Sequence, residues 1–479
     1  MTKVRLAVGA VLLLALALAP ASSAAPGFDT GKPAYLVPTA PGVVVDPILS
    51  TGDIVGTYQM SGIPDGLGAY AVGRGDDDDD NGRKGTFVVV MNHELGRSFP
   101  NNPPGVDARI SRVVIDRKSR SVVEAEYLFT GQEGFERFCS STLAVISGRP
   151  FYFTGEEAVP IEGQPPGPAH DGSSIVLDPD TGMWRETAHF GHFQHENVVP
   201  LRLSKWVFLS SEDDFRPGAS YLYAYIADDF NGALRGVDGG LHVWKADDPA
   251  KNQNSAVVKG ESIPGHFVPI SQAENANSTA LKAAAAAKDA FEFDRLEDIA
   301  VRPDVRGRTY IADTGKPPST ARGRIYQFDI DRRDPTRATL KMVLNGDAPD
   351  NDDLFNPDNM DASERVLVFQ EDRESAFRDP PFSGGYSRVM VWDFRTGTLR
   401  SVARVNTPPT LRPGTWESSG VIDARHVLGK NWWLLDVQAH STTAPQPGPS
   451  LVPNSSTGED GQLLAIFIPG SHGGGGDDD

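Results

Sequence analysis

Cys139 is the only cysteine among 479 residues, so it has no intrachain disulfide partner. Shortly after it, Pro150-Phe151-Tyr152-Phe153-Thr154 reads as a strand that runs into Gly155-Glu156-Glu157. Thiolates and carboxylates are both metal ligands, so one turn and one strand could bring a lone thiol and an acidic pair onto one ion. The same residues also suit a small buried hydrophobe followed by a solvated strand end. What separates the two readings is whether acidic clusters recur at strand ends downstream.

They recur along the whole chain. Asn92-His93-Glu94 follows the strand candidate Thr86–Met91, His195-Glu196-Asn197 precedes Val198-Val199, and Glu212-Asp213-Asp214 follows Trp206–Ser210. Glu297-Asp298 precedes Ile299–Val301, and Asp358-Asn359 and Glu371-Asp372 flank Val366–Phe369. Glu417-Ser418-Ser419-Gly420 comes next, and Gln438 with His440 follows Trp432–Val437. Carboxylates that converge without partners repel, and burying each costs on the order of several kcal/mol. Hard cations remove that penalty: Ca2+ takes about six to eight oxygens, and Fe3+ accepts carboxylate and thiolate. The clusters therefore predict a multi-metal centre. His93, His195 and His440 stand beside them as acid/base or structural groups.

The elements that must position these residues are short β-type runs broken by Gly, Pro, Asp and Asn from about Tyr35 onward, which predicts an all-β fold. The length is too great for one sandwich, whereas a β-propeller grows by adding blades around an axis and brings one end of each inner strand to it. One helix is expected, from Asn277 to about Phe291, lying over a propeller face and leading into Arg295-Leu296-Glu297-Asp298. Residues 1–25, with Lys3, Arg5 and the apolar run Leu6–Leu18, read as an export signal. The remaining chain, 26–468, is read as one propeller domain, followed by a disordered Gly/Asp-rich tail over 469–479. Asp76–Asp80 reads as a solvated acidic loop with calcium-type oxygens.

The chain carries 64 Asp and Glu against 45 Lys and Arg, a formal charge of −19. That excess argues against a nucleic-acid partner, since phosphate backbones demand a basic surface. No later segment is apolar enough for a membrane span. A secreted or periplasmic monomer is the expectation.

The order Cys139, Thr154-Gly155-Glu156-Glu157, His195-Glu196-Asn197, Glu212-Asp213-Asp214, Arg295-Leu296-Glu297-Asp298, Pro357-Asp358-Asn359, Glu417-Ser418-Ser419-Gly420 and Val437-Gln438-Ala439-His440 resembles the PhoX-type alkaline phosphatases. The resemblance implies a six-bladed propeller with an oxo-bridged iron and calcium centre on its axis, hydrolysing small phosphate esters. It implies Cys139, Glu196 and Glu297 as ligands of Fe3+, and Glu156, Glu157, Asp213 and Asp214 as ligands of Ca2+. It gives Arg295 the substrate phosphate, which its planar fork suits. Glu94, Asp298, Asp358, Glu371, Asp372, Glu417, Gln438 and His440 complete the candidate set. Here Leu296 departs from the family's Arg-Pro-Glu-Asp, and Ala439 separates Gln438 from His440. Two other classes fit the acid excess: a calcium-stabilised propeller that binds without catalysing, and a calcium-only propeller hydrolase of phytase or lactonase type.

Overall fold

Thr86–His93 is buried along its entire length, as its Val-rich sequence requires of a strand with both faces covered. It is the second of four antiparallel strands, Pro64–Ala71, Thr86–His93, Arg109–Asp116 and Val122–Phe129. The computed structural model describes residues 27–72, 85–96, 107–161, 167–316, 320–373, 385–443 and 459–473. The expected export signal, the Asp76–Asp80 loop and the last residues of the tail lie outside them.

The same four-strand unit recurs. Phe138–Ile146, Arg149–Glu156, Ser174–Asp178 and Met183–Glu186 make the next sheet. A nine-stranded sheet opens with His195–Arg202, Trp206–Glu212, Leu222–Ala227 and Gly240–Ala246. It closes with Leu296–Val301, Arg308–Asp313, Arg324–Ile330 and Arg337–Asn345, and Ser262–Pro269 joins the two runs by pairing with Gly240–Ala246 and Arg337–Asn345. Pro357–Ala362, Val366–Glu371, Arg388–Asp393 and Leu399–Val405 take Leu36–Pro38 as a fifth, outer strand. The last sheet is Glu417–Asp423, Trp432–Thr443 and Glu459–Phe467, with Val44–Ser50 from the other end of the chain on its outer edge. The first strand of each run touches the first strand of the next, and Glu417–Asp423 closes on Pro64–Ala71. The arrangement is all-β and propeller-like.

A further regularity governs these first strands. Their register with the second strand slips near their first residues, between Pro64 and Leu67, His195 and Val198, Leu296 and Ile299, and Pro357 and Met360. Glu417–Asp423 slips between Ser419 and Ile422, and the second sheet slips between Thr154 and Glu156, opposite the start of Phe138–Ile146. A bulge leaves a residue out of the ladder and re-aims its side chain, which is why bulges gather beside functional sites. Two glycines permit the close approach of neighbouring strands here. A Cβ at Gly66 would lie 2.5 Å from Cys139 O, and one at Gly155 would lie 2.3 Å from His195 Cβ.

The expected helix is Ser278–Ala287, capped by Asn277, whose side chain accepts the Ala280 N–H. It ends before Phe291 because the chain leaves the helix at Lys288. Leu281, Ala284 and Ala285, on one face at helical spacing, pack with Phe190, Tyr221 and Tyr223. The tail expectation needs correcting: Ser471 and His472 are buried, Trp433 Nε1–H donates to Ser471 Oγ, and His472 meets Asp423. Cys139 lies inside the strand Phe138–Ile146, and one turn and the strand Arg149–Glu156 join it to Glu157.

Candidate metal centre

The bulged strand ends converge on one cavity of about 80 Å³. It is lined by Asp65, Glu94, Arg137, Cys139, Glu157, Glu196, Asp213, Arg295, Glu297, Asp358, Asp372, Glu417, Ser419 and Gln438. Asp65, Cys139, Glu196, Glu297 and Asp358 are each the second residue of a first strand. The ligand-type atoms fall into four groups, each within 4.8 Å: Asp65, Glu94 and Cys139; Cys139, Glu157 and Glu196; Glu196, Asp213 and Glu297; Asp358, Asp372 and Glu417. Shared members link the first three.

Nine carboxylates face two guanidiniums in this space. Burial, then the neighbouring Glu157 and Asp358, push Glu196 well above the usual carboxylate range. Burial and Asp213 do the same to Glu297, and burial and Glu417 to Asp358. Glu157 is raised to about 8 by burial, with Arg137 opposing. The Cys139 thiol is raised by burial and by Glu157, and it donates to Glu157 Oε2 at 3.0 Å. Buried acids in this number call for cations beyond the two arginines. Two acceptor atoms support the same conclusion: Glu417 Oε2 and Gln438 Oε1 are buried with no hydrogen-bond partner. An oxygen-rich donor set with one thiol fits hard divalent cations and iron.

Both arginines are held by acids. Arg295 Nε donates to Asp213 Oδ1 at 2.8 Å and its Nη2 to Asp213 Oδ2 at 2.5 Å, with Glu297 at 3.1 Å. Its backbone N–H is fixed by Asp313 Oδ1. Arg137 pairs with Glu94 at 3.0 Å and with Glu157. Its φ is +55°, held by its N–H to Leu95 O and by Glu157 N–H to its own carbonyl.

Adjacent acids divide between the cavity and the scaffold. Successive residues of an extended chain point to opposite sides, so only one of each pair can face the axis. Glu157 faces it, whereas Glu156 accepts the N–H groups of Glu136 and Gly172. Asp213 faces it, whereas Asp214 is held by Arg216 and Lys282. Glu297 faces it, whereas Asp298 accepts from Asn197 Nδ2, Ile299 N–H and Met360 N–H. Asp372 faces it, whereas Glu371 is clamped by Arg373 and Arg388. Glu156, Asp214, Asp298 and Glu371 thus leave the expected ligand set. His440 leaves it too, bridging Glu417 Oε1 at 3.0 Å and Glu459 Oε2 at 2.8 Å. Burial opposes its charge, but the two carboxylates raise His440 well above the usual histidine range.

Gln438 is placed in the cavity by Nε2 donations to Asp65 and Glu94. His93 and His195 are elsewhere: burial lowers each to about 3, and they bond Gly62 O and Ser111, and Gly191 O. Asp65 and Arg137 escaped the sequence reading, and Ser419 stood in its Glu417-Ser418-Ser419-Gly420 cluster without a role. Ser419 Oγ lies 2.7 Å from Asp65 Oδ1 and 2.5 Å from Asn359 Oδ1, with one proton to share between them, and Asn359 Nδ2 donates to Ser140 Oγ at 2.7 Å. These bonds tie the starts of four first strands together behind the cavity. The signal for Asp65 was present, since Pro64-Asp65-Gly66 opens its strand as Pro357-Asp358-Asn359 opens another.

Fold and cavity together define a propeller-like all-β protein built around a buried centre of carboxylates, one thiol and two arginines. Residues 177–402 match the family model described as alkaline phosphatase PhoX, which bears out the resemblance drawn from the motifs. The structure is similar to that of Pseudomonas fluorescens PhoX in complex with vanadate, a transition-state analogue. The two share 16% identity at a TM-score of 0.61, over 93% of this chain and 100% of that one. Weaker likenesses are to Pyrococcus horikoshii acylaminoacyl peptidase, 9% identical with a TM-score of 0.32 over 77% of this chain and 49% of that one. The α-L-arabinofuranosidase of Lactobacillus brevis is 12% identical with a TM-score of 0.34, over 69% of this chain and 90% of that one. No curated protein matches the sequence.

Proposed function

We propose that this chain is a phosphatase that hydrolyses small phosphate esters in the axial cavity. The observation that carries the reading is the placing of two arginines, Arg295 buried and Arg137 half-buried, among nine converging carboxylates and a thiol. An acid-lined cavity built only to hold cations has no need of guanidiniums, whereas a phosphoryl group needs donors that match its oxygens. Arg295 is oriented for that task by the two-point grip of Asp213 and by Asp313 on its backbone. Arg137 presents a second guanidinium from just before the strand Phe138–Ile146, as Arg295 does before Leu296–Val301, its backbone locked in an unusual conformation. Burial of Glu157, Glu196, Asp213, Arg295 and Glu297 keeps most water from them and strengthens the charge interactions among them.

Cys139, Glu196 and Glu297 would hold iron, and Glu157 and Asp213 would hold calcium, with Asp358, Asp372 and Glu417 as a further acidic group. Such cations supply charge that polarises phosphoryl oxygens and stabilises the transition state. Counting the nine-stranded sheet as two blades bridged by Ser262–Pro269 gives a six-bladed propeller. With residues 1–25 read as an export signal, the protein acts as a monomer outside the cytoplasm. Among the described residues no helix is long and apolar enough to cross a membrane.

The test is elemental analysis of the purified protein together with p-nitrophenyl phosphate turnover before and after chelation. Bound iron and calcium, turnover lost on their removal and turnover restored on reloading are expected. A metal-free protein that turns over equally well would overturn the reading, and calcium alone with no phosphatase activity would favour a binding propeller.

A further inference from the structure

A second cavity lies at the opposite end of the strands. In His195–Arg202 the axial residue Glu196 stands near the start and Arg202 is the last residue. In Leu296–Val301 Glu297 stands near the start and Arg302 follows the end. The turns at this far end bring Arg306, Asp331, Arg332 and Arg333 around a space of about 390 Å³.

The three arginines outnumber the one carboxylate beside them, Asp331, whose charge acts on Arg332 and Arg333. Arg302 pairs with Asp304, Arg308 with Asp329, and Arg337 with Asp247. Among the described residues, Arg306, Arg332 and Arg333 make no ion pair. Arg306 is instead fixed through Nε and Nη2, which donate to Arg202 O at 2.9 and 2.7 Å, while Nη2 also reaches Leu203 O at 3.1 Å. The facing turn is held by Ser204, whose N–H and Oγ–H donate to Arg332 O and Arg333 O, each at 3.1 Å. Asp331, the one lining carboxylate, has Oδ1 occupied by the N–H groups of Arg333 at 2.7 Å and Asp334 at 3.0 Å.

Three clustered guanidiniums repel one another, and the single charge of Asp331 relieves that repulsion only in part. The planar forks of Arg332 and Arg333, with Nη1 of Arg306, match the oxygens of a tetrahedral oxyanion. We propose that this cavity binds a phosphoryl group, either as inorganic phosphate or as the headgroup of a phosphorylated surface. Exposure of Arg306, Arg332 and Arg333 leaves it open to either. Occupancy by a surface would dock the protein by the end remote from the axial cavity. The inference uses no axial residue, so it stands apart from the proposed phosphatase reaction.

The experiment uses the full chain and the double variant Arg332→Ala/Arg333→Ala, whose exposed positions leave the core untouched. Inorganic phosphate is titrated calorimetrically at fixed ionic strength, and co-sedimentation is measured with vesicles of phosphatidylcholine with and without phosphatidic acid. The native chain is expected to show a phosphate-binding event that weakens by about tenfold or more in the double variant. Arg332→Lys/Arg333→Lys, which keeps charge and loses the fork, is expected to fall between. Co-sedimentation only with phosphatidic acid, lost in the variant, assigns the surface source; phosphate binding without it assigns the free anion. Identical behaviour of native and double-alanine chains toward both probes would overturn the proposal. So would equal displacement by chloride at matched ionic strength, which marks unspecific screening.

Discussion

Cys139 Sγ lies 3.0 Å from Glu157 Oε2, across the bulge that separates the first two strands of its sheet. The thiol is thus joined to the one member of the Glu156-Glu157 pair that faces the axis. Cys139→Ser is expected to lower iron content and bleach any visible thiolate-to-metal absorption while leaving the melt nearly unchanged. Full iron occupancy in that variant would show that the thiol only fills space.

Arg295 and Asp213 form a two-point pair, and lysine cannot reproduce it. Arg295→Lys should lower kcat/KM for p-nitrophenyl phosphate by roughly 1–3 kcal/mol, about five- to 150-fold. A variant with native kinetics and a lower melting temperature would make Arg295 a scaffold residue.

Gly66 stands where the first strand crosses the backbone of Cys139 and Ser140. A methyl group there would meet Cys139 O at 2.5 Å, with backbone rather than flexible side chain in its way. Gly66→Ala should cost about 1–3 kcal/mol in denaturant unfolding and reduce metal content. An unchanged melt would mean that the seam between these two sheets yields easily.

Asp313, buried and near Asp294, has its carboxyl raised from 3.8 to about 7. A raised folded-state pKa favours the protonated native form, so its stabilising share is complete below pH 3.8 and is lost as pH rises through about 7. Relative to Asp313→Asn, the wild-type melt should lose ground across that window, by at most about 4 kcal/mol. Parallel melts from pH 4 to 8 would contradict the assignment.

Bound cations should stabilise the native chain, since they neutralise acids that the unfolded chain leaves in water. At a hundredfold excess over the dissociation constant one such ion contributes about 2.7 kcal/mol. Chelation is expected to lower the melting temperature, and superimposable melts would remove the structural role of the ions.

Much of the centre was legible because its residue types are conspicuous in an extended context: Cys139, Glu196, Glu297 and Asp358 each interrupt a β-type run. Which member of an acidic pair faces the axis was not legible from composition alone. Strand alternation demands that the pair split, and only the bulges decide the direction, as Glu297 and Asp298 show. Arg137 carried no signal, since its place depends on a left-handed backbone before Phe138 and on acids distant in sequence. Ser262–Pro269 hid for a different reason: Pro264, Gly265 and Pro269 are poor strand residues, yet the segment pairs on both sides. The helix was readable because Asn277 and an alanine run need no tertiary context to favour it.

Hydrolysis of phosphate esters in the axial cavity depends most on Glu196, which stands in two of its four ligand groups. The most direct measurement is p-nitrophenyl phosphate turnover by the metal-loaded native chain beside Glu196→Gln at matched metal supply. Measurable turnover in the native chain and a loss of at least about a hundredfold in the variant are expected, with the fold retained. Equal turnover by the two proteins, or none in a native chain fully loaded with metal, would contradict this reading.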